Sequence, residues 1–127
     1  MKTLSIIFSA MLLLTSLHAA AFDKDAKSRA TTIHISSEKP LGVGSNTFIL
    51  DIKQKGQIPA GAKVKVKAFM PAMPGMPAME SKTDAKDLGN GKYQVTVNLA
   101  MGGTWQLFIF ITPKTGKKSR VKTSINI

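Results

Sequence analysis

"AKVKVKAFMPAMPGMPAME", residues 62–80, joins two patterns that together decide the fold. Its first half alternates, with Val64, Val66 and Ala68 on one side and Lys63, Lys65 and Lys67 on the other. A period of two puts successive side chains on opposite faces, so this half reads as a strand with one wet face. The second half excludes a helix. Met70, Met73, Met76 and Met79 recur every three residues, and Pro71, Pro74 and Pro77 follow the first three of them. Proline inside a helix removes a backbone hydrogen bond and collides with the preceding turn. The residue before a proline is also pushed toward extended geometry.

The strand alternation recurs on both sides of this stretch. From Thr31, Ile33 and Ile35 face one way while Thr32, His34 and Ser36 face the other. "KPLGVGSN" (39–46) is a turn-rich loop, "TFILDIK" (47–53) a strand and "QKGQIPAG" (54–61) another turn. Downstream, "LGNGKYQVTVNL" (88–99) opens on an Asn-Gly turn and carries Tyr93, Val95, Val97 and Leu99 on one face. Met101-Gly102-Gly103 makes a tight connection into "TWQLFIFI" (104–111), which is apolar on both faces. That strand is expected to be buried on both sides or nearly so, with Phe108 and Phe110 opposite Trp105, Leu107, Ile109 and Ile111. "RVKTSINI" (120–127) closes the chain. Residues 22–30 are charged and aperiodic and read as a flexible lead-in. About seven short strands between turns predict an all-β fold, a single immunoglobulin-like antiparallel β-sandwich over residues 31–127.

Residues 1–21 read as a secretory signal peptide. Lys2 is its positive start, Leu4 to Leu17 its apolar run, and Ala19-Ala20-Ala21 its cleavage signature. The run is short for a membrane span, and no later segment is apolar enough for one. The expectation is a periplasmic protein without an integral span after cleavage. The chain has no cysteine, which excludes disulfides and a lipidated N-terminal cysteine. Eighteen Lys and Arg against seven Asp and Glu give a net charge of +11. Besides solubility, this predicts attraction to lipid headgroups, polyanions or an acidic partner. Export and few exposed aromatic residues argue against nucleic acid. The acidic residues are scattered and no nucleophile–base pair is visible, so the chain reads as a binding protein and not an enzyme.

The methionine ladder has a chemical reading. Polyproline II has three residues per turn, so the four thioethers of Met70, Met73, Met76 and Met79 share one edge of an extended rod. Thioethers are neutral, soft donors that suit Cu(I) and, by extension, Ag(I). They need no deprotonation and form no disulfide. At about 3.1 Å per residue, neighbouring methionines of a straight rod stand roughly 9 Å apart. Four donors meet one ion only if the chain bends, and Gly75 is the residue free to bend it. His34, the histidine that remains after cleavage, and Met101 are further candidate ligands. Two other readings stand beside metal binding. One is a non-metal accessory or docking protein whose Met-Pro loop binds a membrane or envelope protein partner. The other is methionine as ordinary core filling. Trp105 reads as core.

Taken together, the strand ending in "FMPAMPGMP", the "GNGKYQVTVNL" strand, the "MGGTW" turn and the "QLFIFI" strand resemble YtkA-like domains and the related FixH-type exported β-sandwiches. The resemblance covers roughly residues 31–127. The methionine loop is also similar to the Met-rich Cu(I) loop of CopC-type periplasmic copper carriers. The resemblance implies a periplasmic copper-handling protein, serving resistance or trafficking, that exchanges its ion with an envelope efflux or oxidase-assembly protein. Some relatives carry a histidine inside this loop. Here none lies between Phe69 and Glu80, which favours Cu(I) over Cu(II).

Overall fold

Alternating apolar and polar residues become strands because each strand must turn one face toward a common core. A computed structural model describes residues 21–56 and 61–127, and among these it contains nine strands. The signal-peptide reading falls on residues of which 1–20 lie outside those described. β1 (Phe22–Ser28), β2 (Thr31–Ser37) and β3 (Gly44–Gln54) run in succession as an antiparallel meander. β4 (Lys63–Met70) and β5 (Met79–Asp84) form a hairpin, followed by β6 (Lys86–Gly89), β7 (Lys92–Leu99), β8 (Thr104–Thr112) and β9 (Ser119–Asn126). Two antiparallel sheets result, one in the order β1-β2-β3-β7-β6 and the other β5-β4-β8-β9.

The inner faces of the two sheets make one core. Ile33, Ile35, Phe48, Leu50 and Ile52 meet Val64, Val66, Leu107, Ile109 and Ile111, all at most 3 % exposed. Trp105 is buried, as its sequence position predicts, and its Nε1–H donates to the Met101 carbonyl at 2.9 Å. The all-β sandwich expected from the pattern is the architecture observed.

Three details differ from the expectation. The strands number nine rather than about seven. Residues 22–30, read as a flexible lead-in, contain β1. Phe22 meets Phe48 edge-on at 6.0 Å and Ala26 is buried, so two apolar contacts anchor a strand whose other residues are mostly charged. β5 and β6 are the other additions: β6 is exposed throughout and β5 lacks a run of large apolar residues, so neither carries a strong alternation signal. Finally, β8 is not buried on both sides. Its Trp105 face is buried, while Gln106, Phe108 and Phe110 are only partly covered on the outer face.

Candidate functional site

Proline and glycine chemistry shapes the end of the β4–β5 hairpin. Pro74 and Gly75 occupy its two-residue turn, with Gly75 at φ +80°. That is the left-handed value a type II turn requires at its third position, and proline suits the position before it. The backbone therefore bends at Gly75 and does not continue as a polyproline rod. Met73 N–H donates to the Met76 carbonyl at 3.0 Å, and Met76 N–H donates to the Met73 carbonyl at 2.8 Å. Opposite residues that exchange both bonds have Cα atoms about 5.5 Å apart. Met70 and Met79 are opposite partners at the base of the same hairpin.

The spacing of three thus becomes two cross-strand rungs, symmetric about the Pro74–Gly75 turn. Between the rungs lie Pro71 and Ala72 on one arm and Pro77 and Ala78 on the other, all exposed. Proline has no N–H to give a ladder, so regular pairing lapses there and resumes at the tip. The two rungs have different surroundings. Met73 and Met76 are 47 % and 39 % exposed, whereas Met70 is 2 % exposed and belongs to the core. The Met70 methyl packs over Gly103, where an added Cβ would stand 3.0 Å from it. Met79 and Met101 are partly buried against the same core.

The hairpin brings Met70, Met73, Met76 and Met79 together as pairs, and the Met101–Gly103 turn lies beside Met70. His34 is not brought to this group. It sits on the outer face of the other sheet because Ile33 and Ile35, its neighbours in β2, point inward. Its Nδ1 lies 2.6 Å from Asp25 Oδ1 and its Nε2 lies 3.4 Å from Asp23 Oδ1. The hydrogen bond to Asp25 raises the His34 pKa above its ordinary value; burial opposes the rise, while the charges of Asp23, Asp25 and Asp51 add to it. Among the described residues no group of three or more His, Cys, Asp or Glu side chains is placed to hold a metal ion. At the hairpin base, Glu80 already pairs with Lys82 at 3.3 Å and Lys67 at 3.7 Å. The donors this hairpin gathers are therefore thioethers.

Sequence reasoning missed the cations around Phe108. Their signal was present in the alternation of β4 and β9, where Lys67, Arg120 and Lys122 fall on the polar side.

Fold and hairpin define a class: a small two-sheet β-sandwich with a methionine-paired turn projecting from one sheet. The YtkA-like family model matches residues 25–110, and the chain belongs to that family. Comparison with curated proteins and with solved structures finds no match. Among the described residues no helix is long and apolar enough to cross a membrane.

Proposed function

We propose that this chain is an exported, periplasmic copper-binding protein that holds Cu(I), with Ag(I) as surrogate, on its methionine hairpin. The observation that carries this reading is the Met73–Met76 rung. Two soft donors stand opposite each other at an exposed tip, held by two backbone bonds and a preformed turn. Cross-strand Cβ atoms in such a pair are about 4.5–5.5 Å apart, within reach of two long, flexible side chains closing on one ion. Met79, partly buried at the base, is the natural third donor, and Met70 joins only if its methyl leaves the core. The role is binding and transfer, not catalysis. On this reading the chain resembles the copper-resistance determinant CrdA, and its loop resembles that of CopC-type carriers. Resistance and delivery to an envelope efflux or oxidase-assembly protein share this site.

Titration with Ag(I), followed through methionine methyl signals by NMR, tests the reading. Met73 and Met76 methyls should move first, and Met70 last or not at all. If none moves while the sandwich stays folded, metal binding is wrong. Loss of partner capture by Met73→Ser/Met76→Ser, with no response to Ag(I), would instead establish the docking role that the exposed thioethers also suit.

A further inference from the structure

The outer face of the β5-β4-β8-β9 sheet combines features that the copper reading does not use. Lys67 Nζ, Arg120 Cζ and Lys122 Nζ lie 5.3, 5.8 and 5.6 Å from the Phe108 ring centroid. Lys67 also lies 5.6 Å from the Phe69 ring, and Phe110 stacks beside Phe108 at 6.5 Å and 17°. Three cations drawn from β4 and β9 thus converge over one aromatic ring on the strand between them. The ring quadrupole attracts each cation, but the cations repel one another. Lys67 pairs with Glu80; no ion pair among the described residues involves Arg120 or Lys122. The outward carboxylates of this face, Glu80 and Asp84, both lie on the edge strand β5 and are already paired with lysines. An anion approaching Phe108 would be attracted by all three cations and would relieve their repulsion.

We propose that this face docks on a bilayer surface rich in anionic phospholipid. Charge complementarity requires an anionic partner, and the aromatic rings decide which kind. Phe69, Phe108 and Phe110 are only partly covered and have no polar atom to offer a partner. An acidic protein surface meets the cations with carboxylates but must also place an apolar patch in register with three rings. A bilayer interface supplies phosphates for the cations and acyl boundary for the rings at the same depth. A sheet face presents its cations across a broad surface, and lipid headgroups can rearrange to meet them without a matched set of partner side chains. The outer face of the other sheet sets Asp23, Asp25 and Asp51 among Lys27, Lys53 and Lys92, so these charges largely cancel there, unlike Arg120 and Lys122 around Phe108.

Vesicle co-sedimentation tests the proposal, using the protein as recovered after export. Vesicles are phosphatidylcholine alone or phosphatidylcholine mixed with phosphatidylglycerol. Binding should require phosphatidylglycerol and weaken with salt. Each basic residue near an anionic surface changes partitioning about fivefold, so Arg120→Gln/Lys122→Gln should lower it about 25-fold. Lys53→Gln/Lys92→Gln removes the same charge from the other sheet's outer face and should change partitioning less than about fivefold, since charges beyond a screening length contribute little. Phe108→Trp should show a blue-shifted emission on the mixed vesicles, above the constant signal of buried Trp105. Equal losses from both double variants would mean that net charge, not this face, drives binding. No binding to mixed vesicles, or an unshifted emission from the bound Phe108→Trp variant, would overturn the proposal. So would capture by an acidic protein that phosphatidylglycerol does not compete away.

Discussion

Replacing Gly75 by asparagine, alanine and proline separates a bent methionine pair from a straight ladder. Gly75 has φ +80°, and a Cβ added there meets nothing within 4 Å. The alanine penalty is therefore a backbone penalty alone, about 1–2 kcal/mol for an L-residue in the left-handed region. Asparagine visits that region more readily and should cost less. Proline cannot reach a positive φ, so Gly75→Pro abolishes the turn. If only the closed turn binds the ion, the apparent Kd rises as the closed fraction falls. A bias of about 1–2 kcal/mol is worth at most about 5- to 30-fold in Ag(I) affinity for the alanine variant. The full factor appears only if the parent turn is itself marginally closed. Residues 71–78 are all exposed, so the thermal midpoint should stay at the parent value. Competition titration with Ag(I) at matched salt measures affinity, circular dichroism checks the sandwich, and Met73 and Met76 amide exchange reports the turn. Affinity should fall in the order Gly, Asn, Ala, Pro. Parent-like affinity in the alanine and proline variants, with amide protection lost, would refute the paired-rung reasoning.

Two further outcomes follow from the same structure. Met70→Ala should destabilise the domain by about 2–5 kcal/mol, because it opens a cavity in a filled core. Met70→Leu should cost less than about 1.5 kcal/mol and keep the parent's silver affinity, which denaturant melts and titration together check. His34 should titrate above the ordinary 6.5, since Asp25 accepts a hydrogen bond from its ring and favours the charged form. A raised folded pKa means that its stabilising contribution is fully present below pH 6.5 and is lost as pH rises through the folded value. Following the His34 ring protons by NMR should give a lower midpoint in Asp25→Asn, and an unchanged midpoint would exclude that bond as the cause.

Several features were legible because their causes are local. Asn90-Gly91 makes a tight hairpin turn with both residues at positive φ, 55° and 77°, which few other residue pairs adopt. Val64, Val66 and Ala68 alternate with lysines because a half-wet strand admits little else. Met-Pro repetition excludes a helix wherever the segment lies, and Pro74-Gly75 is a turn signal in its own right.

Other features depend on partners distant in sequence. β1 exists as a strand because Phe22 finds Phe48 and its backbone pairs with β2, and nothing within residues 22–30 announces either. Phe108 and Phe110 lie in an apolar run that reads as buried on both sides or nearly so, yet among the described residues no third layer covers their side of the sheet. The charged ends of Lys67, Arg120 and Lys122 lie over the Phe108 ring instead. The four methionines look equivalent along the chain, at one spacing and in one local context. Packing divides them: the end of β4 carries Met70 into the core beside Gly103, while the Pro74–Gly75 turn holds Met73 and Met76 in solvent. His34 alternates with Ile33 and Ile35, which sets its face, but only the stacking of the sheets decides that this face points away from the methionine hairpin. Local sterics determined the strands, turns and helix exclusion in the sequence itself. Contact between residues far apart in sequence decided which thioethers are exposed, because burial belongs to the packed layers and not to the segment.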